Sequence, residues 1–321
     1  MSKDERLFEF QTLASNTLES LVTTFNRKAI INSIAPLTRG MSTSNYVVQL
    51  EGNTKKYVLR IYPLNNDHSQ LEIAAYNYAR TMIRVPEIYF FDNSKQLIPN
   101  SYIIMEFIEG FTLGEFITEN NGFPNSVVRS ISGSLALLHQ TEYTHMALLD
   151  ENLRIKENFE PITSQYHTLF NGLAGIHIKP STKEKFLHFI NCNAELLKQV
   201  ASKHVFSHGD FIFSNIIVTP SLQTCFIDYE YCFSAPVFYD IGKFFRTRTN
   251  VERYIGTETI SAFFEGYNSK AKEPLPKEWY IYSKIADVAT MLHLINKPNI
   301  PEGWGLAIDT EIEKTLDLLA Y

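Results

Sequence analysis

The chain has 321 residues, of which 45% are apolar and 20% charged, and a formal net charge of −6. This is ordinary globular material, long enough for two lobes with a cleft between them. The acidic balance, without a basic run, excludes a nucleic-acid surface, because phosphate backbones are bound by clustered Lys and Arg.

In chain order, residues 3–26 set Leu7, Phe10, Leu13, Leu18, Leu21, Val22 and Phe25 among polar residues, and that spacing predicts a leading helix with one apolar side. From about 28 to 107 the pattern changes to β-rich runs, KAIINSIAPL, NYVVQL, KYVLRIY, EIYFFD and SYIIMEF, parted by turn-like TRGMSTS, EGNTK and DNSKQ. One helical stretch, HSQLEIAAYNYARTM, follows the third run. This predicts an N-terminal lobe, residues 1–107, built as a small antiparallel sheet with one helix on its face. Residues 108–321 form the expected second lobe, which is larger and mainly helical: TLGEFITEN, NSVVRSISGSLALLHQ, one long helix over 182–201, and helical patterns from about 238 onward. Inside it NIIV and TCFID predict two short strands around TPSLQ, whereas 141–176 shows no clear period and is expected to be an inserted loop on the substrate side. The fold class is α+β and bilobal.

Chemistry concentrates in HGDFIFSN, His208 to Asn215, and in FIDYEY after it. Phosphoryl transfer needs a carboxylate to orient and deprotonate a hydroxyl, and oxygen ligands for a divalent ion that bridges phosphates. Asp210 on an irregular loop, Asn215 just before a strand and Asp228 at the end of the next strand offer both.

HGDFIFSN followed by FIDYEY resembles the aminoglycoside phosphotransferase and choline kinase superfamily, relatives of protein kinases, and the likeness covers nearly the whole chain. It implies ATP and Mg2+ as cofactors, Asp210 as catalytic base, and Asn215 and Asp228 as metal ligands. It also implies that Arg60 on the third strand meets phosphate and pairs with Glu72 on the following helix. Ser42 and Thr43 in TRGMSTSN, Thr38 to Asn45, would lie beside phosphate oxygens, and Glu106 and Phe107 would form the hinge that meets the adenine edge through main-chain groups. His208 is then a structural hydrogen-bond partner, and Asp240 in FYDIG a brace for the catalytic loop.

For the acceptor, the run IDYEYCF is closer to choline and ethanolamine kinases than to the antibiotic enzymes. Glu230 and Tyr231, with Tyr229 and Phe233, are expected to face a cationic amino alcohol through charge and ring quadrupoles. Trp279, Tyr280, Tyr282 and Trp304 lie where such relatives complete the acceptor pocket. The alternatives are an aminoglycoside acceptor, served by scattered carboxylates such as Glu106, Glu109, Glu115, Glu119, Glu265 and Glu273, and a silent kinase-fold binding module. Expected partners are therefore a nucleotide and a small molecule. The three cysteines form no CxxC pair, and neither a signal-peptide core nor an apolar run of about 18 residues is present, so the expected location is cytoplasmic, without membrane insertion.

Overall fold

The computed structural model describes residues 6, 8–38, 40, 42–246 and 251–319. Helix α1 (Ser15–Phe25) precedes strands β1 (Ile31–Leu37), β2 (Ser44–Leu50) and β3 (Lys56–Ile61); helix α2 (Ser69–Ala79) then leads to β4 (Ile88–Asp92) and β5 (Tyr102–Glu106). The strands pair antiparallel in the order β1-β2-β3-β5-β4. Period-two alternation divides the sheet's side chains. Tyr57, Leu59 and Ile61 of β3 join Tyr46, Val48, Tyr102 and Ile104 in a core closed by Leu18, Leu21 and Val22 of α1. Each Leu or Ile fully buried there contributes about 1.5–3 kcal/mol. The opposite face turns Arg60 and Tyr62 toward α2.

That second face belongs to a larger core. Ala75, Tyr76 and Ala79 of α2, with Tyr62, Ile103 and Met105, are continuous with the apolar interior of the rest of the chain. Glu72 lies on the same helical stripe as Ala75, Tyr76 and Ala79, at i, i+3, i+4 and i+7, which is why a carboxylate sits fully buried.

Beyond residue 107 come β6 (Phe111–Thr112), α3 (Leu113–Glu119) and α4 (Asn125–Leu138). Next are β7 (Glu142–Tyr143), β8 (Ala147–Leu149), β9 (Ile155–Asn158), α5 (Ile162–Asn171), α6 (Pro180–Cys192), α7 (Ala194–Val200) and β10 (His204–Ser207). The remainder is β11 (Ile216–Val218), β12 (Thr224–Phe226), β13 (Phe233–Pro236), α8 (Phe238–Phe244), α9 (Thr257–Asn268), α10 (Trp279–Ile295) and α11 (Trp304–Leu319). Two small sheets, β7-β10-β13-β8-β9 and β12-β11-β6, frame the loop that carries Asp210. The bilobal α+β arrangement is present, and among the described residues no helix is long and apolar enough to cross a membrane.

Three expectations need correction. The leading helix begins at Ser15, not near residue 3. Phe10 and Leu13 instead belong to an extended segment laid along β2: the Gln11 N–H donates to Ser44 Oγ at 2.8 Å, Tyr46 Oη donates back to the Gln11 carbonyl at 2.6 Å, and the Phe10 and Tyr46 rings lie 5.3 Å apart. Leu7 lies outside the described residues. The predicted helix over 182–201 is two, α6 and α7, broken at Asn193. Finally, 141–176 is not a loop: it supplies β7 to β9 and α5, whose Tyr166 and Phe170 are fully buried.

Candidate active site

The loop between β10 and β11 is fixed from beneath. Asp240, in the first turn of α8, accepts hydrogen bonds from the backbone N–H of His208 at 2.7 Å and of Gly209 at 3.1 Å, from Ser207 Oγ at 2.9 Å and from His139 Nε2 at 3.2 Å. Burial alone would push this carboxyl up, but the His139 contact and the other donors hold it below the ordinary carboxylate value. The His208 ring donates from Nε2 to the Ile227 carbonyl at 3.0 Å, and its Nδ1 accepts from the Asp210 N–H at 3.4 Å. Only a neutral imidazole can fill both roles, in keeping with burial, which lowers its pKa against the pull of Asp240 and Asp210. Gly209 adopts φ +81°, and a Cβ there would stand 1.8 Å from the Tyr231 carbonyl oxygen, so no other residue fits this turn.

Asp210 emerges about one-third exposed, at 32% of its side chain. Its Oδ2 accepts from Asn215 Nδ2 at 2.9 Å, and the same amide reaches the Asp210 carbonyl at 2.9 Å. Asn215 and Asp228 flank the β11–β12 hairpin at one end, where Ile216 pairs with Phe226 and the Ile227 N–H donates to the Asn215 carbonyl at 3.0 Å. Asp228 itself has φ +70°, a left-handed conformation that is costly for a residue with a Cβ, and its N–H is held by Tyr76 Oη at 2.9 Å.

Arg60 gathers the remaining acids. Its NH2 lies 2.5 Å from Asp228 Oδ1 and 3.4 Å from Glu230 Oε2, and its Nε 3.1 Å from Glu72 Oε2, so the strand-to-helix pair expected from the sequence is one edge of a larger cluster. One guanidinium thus faces three carboxylates, and burial together with mutual repulsion raises the pKa of Glu72 and of Glu230. Glu72 Oε1 has no hydrogen-bond partner.

Other expected site residues are placed differently from a simple reading of their neighbours. Glu230 is only 3% exposed and packs against Arg60, while Tyr229 is fully buried against Tyr76 and His208. The Tyr231 hydroxyl is hydrogen-bonded to Ser42 Oγ at 2.9 Å, tying the β1–β2 loop to the turn after Asp228. Arg6 steadies that loop by donating to the carbonyls of Gly40 and Thr43 at 2.7 and 2.6 Å; Arg39 and Met41 lie outside the described residues. At the expected hinge, the Glu106 N–H donates to the Glu87 carbonyl at 2.8 Å and the Phe107 N–H to the Lys56 carbonyl at 3.3 Å. Trp279 stacks on Phe263 at 5.5 Å and Tyr282 packs edge-on against Phe238, so both are helix-packing residues. Glu106, Glu109, Glu265 and Glu273 are ion-paired one by one with Arg84, Lys56, Arg129 and Lys203.

Two cations beside Asp210 escaped the sequence reading. Lys243 of α8 donates to the Gly209 carbonyl and stands 3.8 Å from Asp210 Oδ1. Arg246, just past α8, grips buried Asp287 with Nε at 2.9 Å and NH2 at 2.6 Å. A signal existed for Lys243: it follows Asp240 by three residues on one helix, so both reach the same loop.

Residues 33–279 match the APH family, described as the phosphotransferase enzyme family. None of the curated protein sequences compared with the chain matches it. Among solved structures, a candidate aminoglycoside phosphotransferase of Ralstonia eutropha JMP134 is 13% identical, with 96% of this chain and 97% of that one covered at a TM-score of 0.66. Choline kinase LicA from Streptococcus pneumoniae is 17% identical, covering 95% and 99% at 0.61. A thermostable aminoglycoside phosphotransferase APH(4)-Ia, solved as a ternary complex with ADP and hygromycin B, is 10% identical, covering 93% and 97% at 0.61. At such identities these structures share the fold, while the match over 33–279 shows the kinship: the chain belongs to the phosphotransferase enzyme family.

Proposed function

We propose that this phosphotransferase transfers the γ-phosphate of ATP to a hydroxyl of a small molecule, with Asp210 as the base. The observation that carries it is the placement of Asp210: partly exposed, held by Asn215 on one oxygen, and set on a loop that Asp240 ties down through two backbone amides. A carboxylate fixed this way can orient a hydroxyl and take its proton as the loose transition state develops, so positioning carries most of the catalysis.

The residues present fit a magnesium ion. Asn215 and Asp228 are hard oxygen donors at one end of a hairpin, and Mg2+ is commonly held by one or two protein ligands with phosphate oxygens completing the shell. The surplus of carboxylates around Arg60 supports the same reading, because unbalanced buried negative charge favours a cation. When bound, the ion would neutralise charge on the phosphates. Within this proposal the chain divides after Phe107, Arg60 and Glu72 with the β1–β2 loop serve the nucleotide, and His208 and Asp240 hold the loop. The ADP bound by the APH(4)-Ia structure supports a nucleotide substrate, and three unpaired cysteines accord with a cytoplasmic setting.

The cationic amino alcohol expected from the IDYEYCF run draws support from the choline kinase neighbour. It draws none from Glu230 and Tyr229, which are occupied inside the protein. A coupled ADP-release assay with ATP, Mg2+ and a panel of alcohols, run on wild type and Asp210→Asn, tests the function. Acceptor-stimulated ADP release that vanishes in the variant supports it; stimulated release that survives the substitution overturns the base, and no stimulation by any compound favours a silent binding module.

A further inference from the structure

Lys243 has a donor surplus at the one place where an acceptor must sit. An ammonium carries three N–H donors and no acceptor capacity. One of them is used by the Gly209 carbonyl. Among the described residues Asp210, at 3.8 Å, is the sole carboxylate within 4 Å of its Nζ. The other acids nearby are committed: Asp240 to His139, Ser207 and the loop amides, and Asp287 to both prongs of Arg246. The Lys243 side chain keeps 14% exposure, and beyond the Gly209 carbonyl its ammonium has no further hydrogen-bond acceptor among the described residues. Burial lowers the pKa of this ammonium while Asp210 raises it, and a further oxygen ligand would relieve the same penalty.

A hydroxyl bonded to Asp210 stands about 2.7 Å from a carboxylate oxygen. Asn215 occupies Oδ2, and a hydroxyl bonded to Oδ1, which is 3.8 Å from the ammonium, can bring a group on its neighbouring carbon within reach of Lys243. An oxygen there accepts a hydrogen bond; an ammonium there meets like charge in a partly desolvated site.

We propose that Lys243 is the specificity-determining residue of the acceptor site, and that the acceptor presents an oxygen, as a second hydroxyl or a carboxylate, beside the hydroxyl that is phosphorylated: a polyol or hydroxy acid, not an amino alcohol. This rests on the phosphotransfer reading above. In the reaction the acceptor oxygen forms a bond to the γ-phosphorus, the bridging bond to ADP breaks, and the hydroxyl proton passes to Asp210. Lys243 keeps its proton and holds the neighbouring oxygen.

The test measures kcat and KM for glycerol, ribitol and D-glycerate against choline, ethanolamine and a deoxystreptamine aminoglycoside, with ATP and Mg2+, in wild type, Lys243→Gln, Lys243→Glu and Asp210→Asn. ATP affinity by calorimetry reports the integrity of each variant. Expected are turnover of the oxygen-bearing set by wild type and a KM for D-glycerate raised at least about tenfold in Lys243→Glu, as a lost charge-assisted hydrogen bond worth about 1.4 kcal/mol or more requires. Lys243→Gln, which keeps an N–H donor, should fall between, and ATP affinity should hold in both. Preferred, Asp210-dependent turnover of choline, ethanolamine or the aminoglycoside overturns the assignment while leaving the phosphotransfer reading intact, and so does an unchanged KM for the oxygen-bearing set in both Lys243 variants. Absence of Asp210-dependent ADP release with every compound defeats the phosphotransfer reading and this inference with it.

Discussion

The two flanks of Asp210 use the same kinds of side chain in different proportions. Toward the sheet, one guanidinium, Arg60, sits among Glu72, Asp228 and Glu230, and acid is in excess. Toward α8, Lys243 and Arg246 stand beside two acids already held by other donors, Asp240 and Asp287, and base is not outnumbered. Buried charge is tolerated when it has a partner, so the two flanks suit different ligands. On the reading proposed above, the sheet side would receive a cation and the α8 side an oxygen of the acceptor.

The largest expected effects test whether the flanks have separate duties. Asp210→Asn should reduce turnover by roughly 10² to 10⁴ while nucleotide binding persists; equal losses in turnover and ATP affinity would merge the flanks into one. Asp228→Ala should abolish Mg2+-dependent ATP binding in a calorimeter, and an unchanged titration would take Asp228 out of the metal site. Next comes a stability effect confined to the α8 side. Asp287→Ala strands the Arg246 charge in a site where Asp287 is 1% exposed, and should cost about 3–5 kcal/mol in denaturant unfolding.

Between the flanks lies His208, and its effect is a smaller one that depends on pH. Its folded pKa is lowered by burial, so below about 6.5 the unfolded chain binds the extra proton more readily and stability falls as the pH drops. The melting temperature should decline between pH 7 and pH 5.5, and less steeply in His208→Gln; identical slopes would clear His208 of the effect. Smallest is Tyr231→Phe, which removes the bond to Ser42 and should cost about 0.5–1.5 kcal/mol, with any change in ATP affinity confined to the sheet side.

Much of this was readable from sequence because periodicity reports burial. The five strands of the sheet and α2 appear where alternation and helical spacing put them, and the loop acids stand out by their spacing. Phe10 and Leu13 misled because their spacing is helical, although hydrogen bonds of Gln11 to Ser44 and from Tyr46 hold their segment extended. Within 141–176, Ile162, Tyr166, Leu169 and Phe170 do carry a helical stripe, but Gln165 shares the buried face and blurs it. Glu230 was readable as an acid near aromatics; that its partner would be Arg60, 170 positions earlier, is a tertiary fact no local pattern encodes.

The division of the sheet's two faces between separate interiors bears on how the molecule opens. The α1 face is sealed by a short helix and the extended segment ahead of it, whereas the α2 face is locked into the main interior. Amide protons of α1 should therefore exchange with solvent through a local, low-energy detachment, while those of α2 await global unfolding. Detachment of that outer layer would leave the pairing of Arg60 with Glu72 on the opposite face in place.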